Sequence, residues 1–250
     1  MLLVIDIGNT NLTLGIYEKN NLLEIFRMES NKSFCIENYA KEFVEKFAGF
    51  SITKIMVGSV VDELNETIKQ ACIKAFGITP YLFSQNSKTG VEIDTAKPQS
   101  VGADRIANAY ASIKLYKAPC VIIDSGSATT FDIISSERKF FGGIIMPGIQ
   151  MQFDSLNEKT SKLPRLVAKD IKNVIGIDTE TSMLSGVIRG HACAIDGLLS
   201  QVEKELGEKP TVIATGGLSE LIAKYMTKKF DYINPSLTLD GFRLLYELNN

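Results

Sequence analysis

Tryptophan is absent from this 250-residue chain, and histidine occurs once, at His191. A single imidazole with no thiol at ligand spacing beside it excludes a His-based metal site, and His191 reads as a structural or surface residue. Cysteine is sparse. Cys35, Cys72, Cys120 and Cys193 lie far apart and form no CxxC pair. Neither a zinc motif nor a disulfide framework fits them, so buried thiols in a reducing cytoplasm are expected. There is no basic stripe. Lys plus Arg total 27 against 29 Asp plus Glu, a net charge of −2, which argues against nucleic acid as a partner. No apolar run approaches the roughly 20 residues that span a bilayer, so no membrane contact is expected. The opening run Met1 to Ile5 ends at Asp6 and lacks a basic flank, so it reads as a strand rather than a signal peptide. A cytoplasmic protein is expected. The phosphate-loop pattern GxxxxGK[ST] is missing too.

What the chain does contain is one pattern written twice. "VIDIGNTNLTLGIYE" runs from Val4 to Glu18 and "VIIDSGSATTFDIIS" from Val121 to Ser135. Each has an apolar run, an Asp, a Gly, a cluster of hydroxyl or amide residues and a second apolar run. Apolar residues make up 45% of the chain, enough for a sizeable core. Strands are expected over 2–7, 12–17 and 22–27, as an antiparallel meander. A helix over 36–48, a strand over 54–58, a helix over 63–76 and a short strand over 81–83 follow. Residues 84–100 read as a loop, and 102–115 as a helix. The meander then recurs over 120–124, 128–135 and 139–146. Helices over 149–157 and 179–205, a strand over 211–215 and helices over 218–226 and 239–248 complete the pattern. Gly186 and Gly190, four residues apart, offer a face for close helix approach. No linker separates the halves, and two similar α/β domains are expected, 1–115 and 116–250.

Gly8 and Gly126 let backbone approach a ligand without a Cβ in the way. Asn9, Thr10, Asn11 and Thr13 supply side-chain donors in the first copy; Ser125, Ser127, Thr129 and Thr130 do so in the second. Hairpin N–H groups aimed into a concavity favour anions. Two donor-rich turns suit a polyphosphate, and the carboxylates of Asp6 and Asp124 beside phosphate imply an intervening cation. Ordinary hairpin chemistry explains either copy alone, but the repeated order of residue types does not follow from it.

The duplicated DxGxT/S turn is similar to that of the actin, Hsp70 and sugar-kinase superfamily of ATP phosphotransferases, and "VIATGGLSEL" (212–221) looks like its adenosine motif. Five segments narrow the resemblance: "DIGNTN" (6–11), "GADR" (102–105), "SGSATTFDII" (125–134), "GGIIMPGI" (142–149) and "SLTLDGFRLLYE" (236–247). Together they resemble type III pantothenate kinase over nearly the whole chain. The resemblance implies two ribonuclease-H-like (actin-like) domains, each a mixed sheet opening with a β-β-β unit and flanked by helices, with an ATP cleft between them. It implies ATP-dependent phosphorylation of pantothenate to 4′-phosphopantothenate, the first step of coenzyme A biosynthesis. Another small-molecule alcohol kinase, or a non-catalytic nucleotide-binding regulator, are the alternatives.

By the same resemblance Asp104 is the general base, although an acid at a helix start also suits the helix dipole. Gly102, Ala103, Asp104 and Arg105 would bind substrate, with Arg105 a bidentate partner for a carboxylate. Asp6, Ile7, Gly8, Asn9, Thr10, Asn11, Leu12, Thr13 and Ser127 would bind ATP. Asp124 would hold K⁺ or ammonium, and Asp6 would hold Mg²⁺. Thr179 would reach the pantothenate of a second subunit in a homodimer; as a helix N-cap it would have a purely local role. Thr95 stands where relatives often carry a substrate-contacting Tyr, which implies a wider or more polar pocket.

Overall fold

The computed structural model describes residues 1–250. Two compact units emerge: Met1–Glu92 with Ala96–Ala111 and Leu237–Asn250, and Ile93–Thr95 with Ser112–Ser236.

The first unit opens with β1 (Leu2–Ile7), β2 (Asn11–Glu18) and β3 (Asn21–Glu29), paired antiparallel as their short connections require. After α1 (Ile36–Phe47), β4 (Lys54–Ser59) joins β1 in parallel. After α2 (Asp62–Phe76), β5 (Tyr81–Leu82) pairs with β4, giving the order β3-β2-β1-β4-β5. One face of this sheet, through Leu3, Ile5, Ile7, Leu12 and Leu14, packs with Tyr39, Phe43 and Phe47 of α1 and Leu64 and Ile68 of α2. The helical spacing of those aromatics is what put α1 against the sheet. Gly77, in the left-handed region at φ 69°, stops α2 and donates its N–H to the Ile73 carbonyl. A 3₁₀ turn (Pro98–Ser100) precedes α3 (Ala103–Leu115).

The second unit repeats the plan. Strands β6 (Cys120–Ser125), β7 (Ala128–Ile134) and β8 (Phe140–Pro147) form a second meander, followed by α4 (Ile149–Glu158). The helix expected over 179–205 is three pieces: α5 (Thr179–Leu184), a wider π turn (Ser185–Arg189) and α6 (Gly190–Leu206). Strand β9 (Thr211–Thr215) pairs in parallel with β6. Then come α7 (Ser219–Ala223) and β10 (Tyr232–Ile233), parallel to β9. The order β10-β9-β6-β7-β8 is the first sheet's order again. The two-residue β10 was not expected, because so short a segment carries no period. The α4, α5 and α6 helices and the π turn cover one face through Ile149, Phe153, Leu184, Ile188, Ile195 and Leu199. Among residues 84–100, Ile93 forms a bridge to Phe140.

The last helix, α8 (Leu237–Asn249), belongs to the first unit rather than to the half in which the sequence order placed it. Glycines create its seat. The Phe242 ring occupies the space where Gly58 would carry a Cβ, about 1.9 Å away, and Leu239 lies 3.0 Å from the corresponding point on Gly15. Buried Arg243 donates to Asn20 (3.0 Å) and pairs with Glu247 (2.8 Å), while the Tyr17 hydroxyl donates to Asp240 (2.8 Å). Deep burial with Asp240 alongside raises the Tyr17 phenol and keeps it neutral.

Gly186 and Gly190 have no neighbour within 4 Å of a would-be Cβ, so no helix of this chain uses the face they offer. All four cysteines are free; Cys72 and Cys120 are buried as expected, whereas Cys35 and Cys193 are exposed. No helix is long and apolar enough to cross a membrane.

Candidate functional site

Each turn is closed by the N–H of its glycine, but the second turn is one residue shorter than the first. In the first, the Gly8 N–H donates to the Asn11 carbonyl at 3.0 Å; in the second, the Gly126 N–H donates to the Ala128 carbonyl at 3.1 Å. Each carboxylate sits at matching register. Asp6 lies opposite Thr13 on the antiparallel neighbour and Gly58 on the parallel one; Asp124 lies opposite Thr130 and Thr215. The repeat in sequence is therefore a repeat in where the carboxylate sits on its strand, with a turn one residue shorter in the second copy.

The first turn presents Asn9, Thr10 and Asn11 to solvent, with Asp6, Gly8 and Thr13 half-buried. Ser30 braces it from β3's end, its hydroxyl donating to the Gly8 carbonyl at 2.6 Å and its N–H to the Thr10 carbonyl at 2.9 Å. Ile7 and Leu12 are fully buried in the sheet's core. Only their backbone can meet a ligand, which corrects any reading of them as side-chain contacts. In the second turn Ser127 is exposed and Thr130 half-buried, but Ser125 and Thr129 are buried beneath it. Those two hydroxyls are not presented to solvent, which differs from the expectation that they serve as donors at the turn. Alternation along a strand puts Ser125 on the face of Val121 and Ile123, which is the core face.

A Gly-Gly pair follows β9. Gly216 sits at φ 88°, and a Cβ there would lie 2.6 Å from the Ser125 backbone and 2.7 Å from Asp124 Oδ1. Glycine is thus required for the turn to lie against the Asp124 carboxylate. The Ser219 hydroxyl donates to the Gly216 carbonyl at 2.9 Å and holds the turn's far side.

The GADR segment lies in the first unit. The Val60 N–H donates to the Ile7 carbonyl at 3.1 Å, and Val60 is 3.4 Å from where Gly102 would carry a Cβ. A Cβ on Gly102 would also sit 2.6 Å from Asp104 Oδ1, so a larger residue there would displace that carboxylate. Asp104 stands in the first turn of α3 and accepts the Arg105 N–H at 2.8 Å. Burial raises its carboxyl above the usual range; that N–H and the Arg105 charge pull it partly back. A raised carboxylate is a better proton acceptor than a free one.

Thr179 is not the N-cap of α5. Asp178 takes that role: its Oδ1 accepts the Thr181 N–H at 2.7 Å, and Thr181 Oγ1 accepts the Ile177 N–H at 3.0 Å. Thr179 is exposed and lines a groove of about 660 Å³ with Gly176, Ile177, Ser182 and Gly186. The hydroxyl of Thr95 is buried without a protein partner. His191 is buried, not on the surface, and lies beneath the second turn.

No three His, Cys, Asp or Glu side chains converge to form a protein-only metal cage. Mg²⁺ does not need one, because it keeps waters and binds through one or two carboxylates plus substrate phosphates. Single carboxylates at the two strand ends fit that pattern.

The family profile described as type III pantothenate kinase matches residues 2–201. A type III pantothenate kinase from Bacillus cytotoxicus is 38% identical over 255 residues, covering 100% of this chain and 97% of that protein. One from Halalkalibacterium halodurans is also 38% identical, over 254 residues and 100% of both chains. In fold, the chain is similar to a ROK family glucokinase from Streptomyces griseus solved with glucose and AMPPNP. The TM-score is 0.54 at 12% identity, covering 97% of this chain and 98% of that one. That likeness agrees with two similar sugar-kinase-type domains. With a profile match over most of its length and relatives matched end to end, the chain belongs to the type III pantothenate kinase family.

Proposed function

We propose that this protein transfers the γ-phosphoryl group of ATP to the primary alcohol of pantothenate, giving 4′-phosphopantothenate and ADP. The bond from the γ-phosphorus to the ADP oxygen breaks, a bond to the alcohol oxygen forms, and the alcohol proton passes to a carboxylate. Asp104 is that acceptor. Its raised carboxyl and its place beside the first turn's supporting strands support the role. General-base assistance of this kind contributes roughly 10²–10⁴-fold. Arg105 supplies a guanidinium for the pantothenate carboxylate, and Gly102 and Ala103 supply backbone.

The observation that carries the reading is the pair of glycine-closed turns, each with a carboxylate beside its strand end, in a chain of this family. The first turn offers backbone N–H groups with Asn9, Thr10, Asn11 and Thr13 to ATP phosphates; the second offers Ser127. Asp6 would hold Mg²⁺ and Asp124 would hold K⁺ or ammonium. When bound, these cations neutralise phosphate charge that the two carboxylates would otherwise repel.

A homodimer completes the substrate site through Thr179. Support comes from the groove beside it and from the loop before it, where Ile175 and Ile177 are 81% and 91% exposed. Side chains of that size left in water mark an interaction surface. The glycine face of Gly186 and Gly190, vacant within the chain, adds to it.

The test is pantothenate-dependent ADP release with purified protein, ATP, Mg²⁺ and K⁺. Turnover is expected, lower when Na⁺ replaces K⁺, and reduced by Asp104→Asn. Turnover with a different alcohol but none with pantothenate would overturn the acceptor. Full activity in Asp104→Asn would overturn the base.

A further inference from the structure

Beneath the second turn lies a buried polar cluster that the proposed chemistry does not use. His191, 2% exposed, is placed between two partners: Nε2 lies 3.0 Å from Thr129 Oγ1 and Nδ1 lies 2.8 Å from Gln152 Nε2. The same Gln152 nitrogen lies 3.0 Å from the Pro147 carbonyl. A carbonyl only accepts, so the group facing it is the amide NH₂. Its second hydrogen then points at Nδ1, which must accept. The proton of the ring is left on Nε2 and is donated to Thr129. Burial lowers the His191 pKa and favours this neutral form.

The chain of bonds runs from the end of β8, through α4 and α6, into the first residues of β7. Each link is braced. Gly148 at the start of α4 lies so close to the second turn that a Cβ would come within 2.1 Å of the Ser127 carbonyl and 2.7 Å of that of Gly126. The π turn Ser185–Arg189 ends two residues before His191, and such widened turns are frequent at functional sites. Thr129 pairs across the sheet with Ser125, and Ser125 Oγ is buried with no partner. An apolar core would be expected at this depth unless a polar group has work to do there.

We propose that His191 is a positioning residue for nucleotide binding, its Nε2–H fixing Thr129 and so the aim of the Gly126–Ser127 turn at phosphate. This rests on the reading of that turn as a phosphate site. It acts through Thr129 and touches no substrate itself. His191→Gln keeps a donor near the Nε2 position; His191→Leu removes it; Thr129→Val removes the acceptor with nearly the same shape.

The experiment measures Mg·ADP affinity by calorimetry and steady-state constants for wild type and the three variants. His191→Leu and Thr129→Val should each weaken ADP and raise the KM for ATP by roughly three- to tenfold. The KM for the alcohol should stay unchanged and kcat should fall by less than the KM rises. His191→Gln should recover most of the ATP affinity, and the Leu and Val changes combined should cost no more than one alone. Equal behaviour of the Gln and Leu variants, additive losses, or folded variants with wild-type affinity would each overturn the inference. Because ADP binding needs no acceptor, a chain that shows these effects without phosphorylating pantothenate upholds His191 and sinks only the acceptor. A wild-type chain that binds no nucleotide sinks both.

Discussion

Replacing Gly216 by Ala tests the second turn most directly, because two separate costs meet there. The backbone sits at φ 88°, where a non-glycine residue carries roughly 1–3 kcal/mol of strain. The new Cβ would also lie 2.6 Å from the Ser125 N and C atoms, and overfilling a packed site costs roughly 1–3 kcal/mol more. The obstacle is backbone, not the end of a flexible side chain. Strand β9 cannot retreat either, since Thr215 is the last residue paired with Asp124. About 2–6 kcal/mol of destabilisation is therefore expected. Relief would push the Asp124 carboxylate aside by roughly 1 Å, because its Oδ1 is 2.7 Å from the new methyl and ordinary contact needs more. Stability and cation dependence should fall together. Urea unfolding and the KM for ATP at several K⁺ concentrations measure the two. Gly197→Ala is the control: it lies inside α6 with nothing within 4 Å, so Ala should stabilise by about 0.5–1 kcal/mol and leave the KM alone. A Gly216→Ala protein within about 0.5 kcal/mol of wild type, with unchanged K⁺ dependence, would refute this account of the turn.

Other outcomes follow from the same geometry. Asp104 has a raised pKa, so its base form is lost as pH falls through a value above the ordinary carboxylate range of about 4. The acid limb of kcat/KM should lie correspondingly high and should vanish in Asp104→Asn, as a pH–rate profile will show. Phe43→Ala empties a fully buried ring from the α1 face and should cost about 3–5 kcal/mol in denaturant melts, without altering the KM of the residual folded enzyme. Ile177→Asp, at a 91% exposed position, should leave the monomer's stability within about 0.5 kcal/mol and shift sedimentation from dimer to monomer. An unchanged sedimentation coefficient would count against the proposed interface.

Sequence periodicity alone placed most elements to within a residue or two, because amphipathic strands and helices write their burial into the order of side chains. The repeat from Val4 and Val121 was legible for the same reason: a strand, a tight turn and a returning strand form one local unit. So was the placement of Gly8 and Gly126 in turns, of Asp6 and Asp124 beside them and of the GADR segment at a helix start, since turn chemistry is local. Tertiary structure decided the rest. Whether Ser125 and Thr129 face a ligand or the core depends on which sheet face is covered, and α4 and α6 settle that from far along the chain. Thr179 is released from capping because Asp178 takes the Thr181 N–H, a contest no spacing rule resolves. Leu237–Asn249 joins the first unit because Gly15 and Gly58 leave room for Leu239 and Phe242, a complementarity between residues nearly the whole chain apart. Lone His191 carried no sequence signal at all; its place under the second turn is set by one widened helical turn and by the partners that burial forces on it.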